Sequence, residues 1–357
     1  MAAYNQLEPD ALLQQFAQHP PEGFALLAQA PVTAFSAPFD LLTTAEPGLK
    51  ARLRALPGGA WLARRLRLST DFFGTTVTEY TPLPRHLAPQ ALALALRACA
   101  GRRQLSILKD LPQACPLLPA EDNAHAAATL RALARQQFLL LEGQALAYVP
   151  IDFSSLDDYL ARLSASRRKN LRRKLRSRAS LCVARIPTGA AFADDALVDA
   201  YYALFEAVYA QSEVHFDKLT RSFVAALLRD SGSTPNHGMV FEYRQRNADG
   251  TPGALLGWNL CFEHGGKLLD KYIGLAYPAA RAANLYFVSW MVNLEYALAR
   301  GLTHYVAGWT DPEVKAQLGA RFSFTRHAVF IRNPLLRALG RHFARHFESD
   351  RQWSEQP

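Results

Sequence analysis

The stretch GMVFEYRQRNADGTPGALLGWNLCFEHGGKLLDKYIGL, residues 238–275, decides the fold. It contains three runs rich in β-branched, aromatic and other apolar residues: GMVFEYR (238–244), GALLGWNLCFEH (253–264) and KLLDKYIGL (267–275). The links NADGTPG and HGG carry the Asn, Asp and Gly residues that tight hairpin turns need. Three consecutive strands joined by hairpins are therefore predicted. Working downstream, residues 284–300 form a long helix of mostly apolar residues, and Gly301 stands in the position that ends it. LTHYVAGW (302–309) reads as a strand. Asp311 and Pro312 open a short helix with proline at its first position, and HAVFIRNP (327–334) is a last strand.

Upstream, the pattern is similar in outline. Residues 1–60 are proline-punctuated, with short helical pieces and a turn at PGGAW (57–61). TTVTEY (75–80) is β-rich, and a helix opens at Pro89 and ends at Gly101. QLSILKDLP (104–112) reads as a strand, 124–137 as a helix, and FLLLEGQALAYVPI (138–151) as a hairpin turning at Glu142 and Gly143. Ser154 and Ser155 cap a helix starting near Leu156, with Asp157 and Asp158 in its first turn, where the helix dipole favours acids. Helices follow at 196–209 and from a Thr220 cap through Leu228. The fold class is mixed α/β. The predicted division is 1–152 as a first domain, 153–190 as a connecting basic helix, 191–333 as a second domain, and 334–357 as an amphipathic helix and tail.

The connecting segment holds the charge. RLSASRRKNLRRKLRSR (162–178) has nine Lys or Arg and no acid. The chain has 40 Lys+Arg against 31 Asp+Glu, a net of +9. Without those nine, the two signs balance at 31 each. A charge so concentrated points to a located site for a polyanion such as a phosphate-rich donor or tRNA. Leu160, Leu163, Leu171 and Leu175 recur at helical spacing, so the element is expected to pack on a core. A solvated basic face is the plain alternative. The unrelieved repulsion of Arg168 with Arg172 and of Lys169 with Arg173 argues against it.

At 357 residues, 50% hydrophobic and 20% charged, the chain is globular and long enough for two domains. MAAYNQLEPD shows no signal peptide, and no apolar run approaches the roughly 20 residues of a membrane helix. Cys99, Cys115, Cys182 and Cys261 are scattered, without CxxC spacing, and the ten histidines form no HxH pair. Neither a metal site nor a disulfide framework is expected, and the expected location is cytoplasmic. No GxSxG elbow or phosphate-binding P-loop appears.

Four groups of residues, in this order, resemble the GNAT acyltransferase superfamily and its FemAB-like branch. They are SRRKNLRRKLR (166–176), KYIGLAYP (271–278), EYALARGL (295–302) and VAGWTDPEVKAQLGARFS (306–323). The resemblance covers 150–333 well and the first 150 residues in outline. It implies tandem GNAT-like domains, each a mostly antiparallel central sheet flanked by helices, the first a degenerate copy without a working site of its own. It also implies direct transfer of an acyl or aminoacyl group to an amine, with no metal and no tightly bound cofactor. The implied donor is acyl-CoA, acyl carrier protein or aminoacyl-tRNA, and a thioester is favoured because no coiled-coil arm is evident. In the superfamily the central strand splays from its neighbour to meet pantetheine, and the next helix receives the pyrophosphate at its N-terminus. Here that loop reads AYPAARAANLY (276–286), with Arg281 and no glycine after Gly274.

Amine acylation needs a proton acceptor, oxyanion donors and a proton for the leaving group. Asp270 is the candidate base or amine contact and Tyr272 the candidate proton donor; strand alternation predicts both on one face and Lys271 on the other. Glu295, on an otherwise apolar helix, is a third catalytic candidate. Arg168, Arg172, Arg173, Lys271, Arg281 and Lys315 are candidates for donor phosphate, and His215, Trp309 and Asp311 for the acceptor pocket. PLLRALGRHFARHF (334–347) is amphipathic. It either docks on the protein or lies on an anionic membrane, which would make the protein peripheral to the inner membrane face. A noncatalytic nucleic-acid-binding module is the competing reading of the whole chain.

Overall fold

The computed structural model describes residues 3–40, 67–212, 215–232 and 238–343. The expected turn at 57–61 and the tail beyond 343 lie outside the described residues. The chain forms two compact units. The first comprises 1–7, 20–145 and 323–357; the second comprises 8–19 and 146–322. The division is not sequential. The basic segment, expected as a connector, belongs to the second unit, and the last strand from Ser323 belongs to the first.

In the second unit the three predicted strands form as Gly238–Arg246, Pro252–His264 and Lys267–Leu275, paired antiparallel. Gly265 and Gly266 take φ of +54° and +72°, the left-handed pair that a two-residue hairpin demands. A fourth strand, Leu181–Pro187, adds to the edge of Gly238–Arg246. On the other side Lys267–Leu275 meets His304–Gly308 in parallel, and His304–Gly308 meets the end of Leu139–Pro150 antiparallel. The helix Leu285–Ala299 makes the crossover between the two parallel strands. It ends as expected at Gly301, φ +65°, where the Leu302 amide reaches the Ala297 carbonyl and the Gly301 amide reaches Leu298.

The first unit repeats this plan. Arg67–Phe73, the helix Pro89–Cys99 and Leu105–Pro112 form a parallel pair with a helical crossover. Ala34–Asp40 and Arg321–Ile331 pair antiparallel on either side. Two expectations fail here. TTVTEY is not a strand: Gly74 (φ +118°) turns the chain, and the Thr75 hydroxyl accepts the amides of Val77 (3.3 Å) and Thr78 (3.1 Å) in a local turn. Residues 138–151 do not form a hairpin but one strand, Leu139–Pro150. Glu142, which resembled a turn residue, lies half-buried in the strand with its side chain turned inward, where it accepts Gln113 Nε2 at 2.6 Å and Arg326 Nη2 at 2.9 Å.

Candidate functional site

The site lies where two strands part. Lys267–Leu275 and His304–Gly308 pair in parallel only from Lys267 opposite His304 to Leu269 opposite Val306. The next residue is Asp270. Its carboxylate accepts Asn259 Nδ2 at 2.5 Å, the Tyr305 hydroxyl at 2.6 Å and Asn293 Nδ2 at 3.2 Å. Asn293 comes from the crossover helix and also donates to Asn259 Oδ1 at 2.7 Å. Its amide lies 3.2 Å from the Tyr305 oxygen as well, so two hydrogens are shared among three acceptors. The Cys261 thiol donates to Asn259 Oδ1 at 3.3 Å. Burial raises the Asp270 carboxyl above its ordinary range, against the lowering pull of Tyr305, Asn259, Lys315 and Lys271.

A β-bulge sets what faces what. Tyr272 stands opposite Leu260 and Asp270 opposite Cys261, so Lys271 is an extra residue in its strand. Paired residues share a face, and the extra residue reverses the alternation. Asp270 therefore faces the crossover helix with Asn259 and Cys261, while Tyr272 faces the other side with Leu260. There its ring meets Phe223 edge-on, 5.9 Å between centroids. The expected pairing of Asp270 with Tyr272 on one face is thus corrected. Lys271 is not an open phosphate contact. It is 7% exposed and pairs at 3.2 Å with the fully buried Glu8, which belongs to the same unit.

Lys315 is likewise withdrawn from a phosphate role. It is 3% exposed and donates to the Ala307 carbonyl at 2.6 Å, holding the end of the parallel strand. Glu295 points away from Asp270. Two residues beyond Asn293 on the helix, it takes Arg178 Nη2 at 2.5 Å in a half-exposed ion pair. The helix residue that meets Asp270 is Asn293, which the sequence reading missed along with Asn259 and Tyr305. A signal was there: both asparagines interrupt apolar runs and both are fully buried.

Asp311 and Arg281 lie exposed. Asp311 begins the helix Pro312–Gln317 with φ +53°. Burial raises both the Tyr277 and Tyr286 hydroxyls, and the Asp311 charge adds to each shift. The Asp270 charge adds to that of Tyr286. These tyrosines thus lie within the field of the site's acids. Arg281 stacks over Tyr277 at 4.8 Å and bonds to Gln211. Trp309 is half-buried just past the His304–Gly308 strand. His215 is exposed and edge-on to Tyr209 at 5.0 Å.

The basic segment forms the helix Ala165–Leu175, interrupted from the preceding helix Leu156–Ala161 by a Ser164 cap. Leu160, Leu163 and Leu171 are buried in the core, as the spacing predicts, and Leu175 packs against it. Lys174 lies 3.3 Å from the centre of the Phe287 ring, at the start of the crossover helix. Arg168 turns back to the carbonyls of Ala161 and Leu163, both at 3.3 Å. Arg172 and Arg173 remain exposed, with single contacts to Asp157 (3.4 Å) and Asn170 (3.1 Å). Among the described residues no three His, Cys, Asp or Glu side chains converge as metal ligands.

Two units, each a mixed sheet with one parallel pair and a helical crossover, define a tandem GNAT-like fold. The same fold is seen in FemX, at 12% identity and TM-score 0.54, over 94% of this chain and 95% of that one. L-PGS from Bacillus licheniformis shares it at 9% identity and TM-score 0.52, over 95% and 98% of the two chains. So does the C-terminal domain of a candidate lysylphosphatidylglycerol synthetase from Agrobacterium fabrum, at 10% identity and TM-score 0.54, over 92% and 88%. The model of the FemAB-like family, described as peptidoglycan biosynthesis/recognition, matches residues 115–355. The chain belongs to the FemAB-like family. Nothing matches it among curated proteins.

Proposed function

We propose that the second unit is a transferase centre that moves an acyl or aminoacyl group from an activated donor directly onto an amine. The observation that carries this reading is Asp270. It sits at the parting of the parallel strands, oriented by Asn259, Asn293 and Tyr305, with its carboxyl raised by burial. A carboxylate so raised is suited to accept a proton from an ammonium group as the amine attacks. The strand edge freed beyond Leu269 offers backbone groups to a donor, while the Ala307 carbonyl beyond Val306 is held by Lys315. The matching gap in the first unit is closed by its own chain, because the Thr81 hydroxyl donates to the Lys109 carbonyl (2.7 Å) and its amide to Asp110 (3.1 Å). This favours the second unit as the working half.

The donor we favour is carried on an anionic macromolecule, either an acyl carrier protein or a tRNA. Free CoA needs cations and backbone amides around its phosphates, but Lys315 is buried and Arg281 is bonded to Gln211. Arg172 and Arg173 remain open on the basic helix. The amine acceptor would belong to cell-envelope chemistry, in keeping with the family's description. The test is single-turnover transfer to a panel of amines from acetyl-CoA, from an acylated carrier protein and from aminoacyl-tRNA. Transfer from either carried donor, absent in Asp270→Asn, is expected. Transfer from acetyl-CoA alone would overturn the donor reading. Transfer that survives unchanged in Asp270→Asn would overturn the site.

A further inference from the structure

The first unit carries a surface that the proposed transfer does not use. The strand Arg321–Ile331 turns at Asn333 into the helix Pro334–Phe343. Asn333 Oδ1 accepts the amides of Leu335 (2.9 Å) and Leu336 (3.2 Å), which fixes the first turn. That turn presents Leu335 and Leu336 to solvent, 79% and 55% exposed. The neighbouring Phe330 ring is approached by two guanidinium groups, Arg97 at 4.0 Å and Arg337 at 4.9 Å from its centre. Arg97 belongs to the helix Pro89–Cys99, and Leu94, one turn earlier on the same face, is 57% exposed. Beside the same strand end, the Arg332 amide donates to the Gln104 carbonyl at 2.9 Å. Arg332 lines a cavity of about 260 Å³ with Arg102, Arg103, Gln104, Leu68 and Ser69. Arg103 is 3.6 Å from Asp71, whereas Arg102 and Arg332 have no acidic partner among the described residues.

We infer that this face docks on an anionic lipid bilayer, with Leu94, Leu335 and Leu336 entering the acyl boundary and the Arg102–Arg332 cavity receiving a headgroup phosphate. Exposed leucines stand here beside arginines that have no acidic partner among the described residues. A bilayer interface supplies an apolar layer and a phosphate layer within about 10 Å of each other. RNA would answer the arginines but leave the leucines wet, and a free phosphate would fill the cavity without needing them. No described helix is long and apolar enough to cross a membrane, so the contact is with the surface.

The experiment is sedimentation of the full chain with vesicles of phosphatidylcholine alone and of phosphatidylcholine mixed with phosphatidylglycerol. Binding to the mixed vesicles only, weakening with salt, is expected. Leu335→Ser with Leu336→Ser should lower the partition by at least about tenfold, since both side chains would otherwise leave water. Arg102→Gln and Arg332→Gln should each lower it about fivefold. All four positions are exposed, and an unchanged melting temperature will confirm that the variants fold. Wild-type protein left in the supernatant with mixed vesicles would overturn the inference. So would a leucine variant that binds like wild type, or retention by RNA or inorganic phosphate without retention by vesicles. None of these readouts depends on the transfer reaction.

Discussion

At the scale of single residues, Asp270 has opposite consequences for activity and stability. Its carboxyl is raised by burial, so it becomes neutral at a higher pH than an exposed aspartate, whose ordinary value is about 3.9. As a base it must be ionised, so activity falls as pH drops through the raised value. The stabilising contribution runs the other way: it is fully present below the ordinary value and is lost as pH rises through the raised one. Asp270→Asn is therefore expected to lower the transfer rate about 10²- to 10⁴-fold and to abolish the acid limb of the pH–rate profile. In parallel, the melting temperature of wild type relative to the variant should rise on acidification. An acid limb that persists in the variant would remove Asp270 from the chemistry. Lys315 tests the same charge from a distance. Its ammonium lowers the Asp270 carboxyl, so Lys315→Met should move the acid limb to higher pH. It should also cost about 1–3 kcal/mol of stability by leaving the Ala307 carbonyl without its donor. Asp270 stands out in the sequence because it is an acid in the middle of an apolar strand. Its partners could not, because Asn259 and Asn293 gain their meaning only when strand and helix meet. Tyr272 was assigned to the wrong face because one extra residue in the strand is invisible to simple alternation.

At the scale of elements, hairpins with local turn chemistry could be read from the sequence and those decided by distant partners could not. Gly265 and Gly266 adopt left-handed backbone as the HGG link requires. Glu142 and Gly143 look like a turn, yet Glu142 is claimed by Arg326, 184 residues away, and by Gln113. The Gly143 position is also crowded: a Cβ there would meet His327 Nε2 at 3.0 Å. The basic helix shows a sharper division. Its leucines are committed to the core, as their spacing foretold, but its cations divide by role. Arg168 caps a preceding turn and Lys174 lies over Phe287, which leaves Arg167, Lys169, Arg172 and Arg173 exposed, the last two adjacent in its final turn. Reversing both, Arg172→Glu with Arg173→Glu, should weaken binding of a carried anionic donor by at least about tenfold and flatten its salt dependence. The melting temperature should change little, because exposed ion pairs contribute at most about 1 kcal/mol. Donor titrations at two salt concentrations make the comparison. Equal affinity for wild type and variant would return the helix to the status of a solvated face.

At the scale of the whole molecule, the chain's order in sequence is not its order in space. A boundary near 152 is what composition suggests, since a hairpin there gives way to a charged segment. Composition does not register that the strand Arg321–Ile331 returns to pair with Leu105–Pro112, from Thr325 opposite Pro112 to Ile331 opposite Leu105. Nor does it register that Glu8–His19 belongs to the second unit, where Glu8 meets Lys271. This interleaving makes a definite expectation for dissection. A fragment of residues 1–152 loses the strand that buries Ala328 and Phe330, and truncating one buried phenylalanine alone typically costs about 3–5 kcal/mol. Against a domain stability of about 5–15 kcal/mol, loss of the whole strand is decisive, and the fragment should show no cooperative thermal transition. A fragment joining 20–145 to 323–357 through a short linker keeps every strand of the first unit's main sheet, including the segment Ser323–Ile331, and should melt cooperatively. Circular dichroism melts of the two fragments decide the matter. A cooperative transition in 1–152 with none in the joined fragment would show that the first unit is built from consecutive sequence after all.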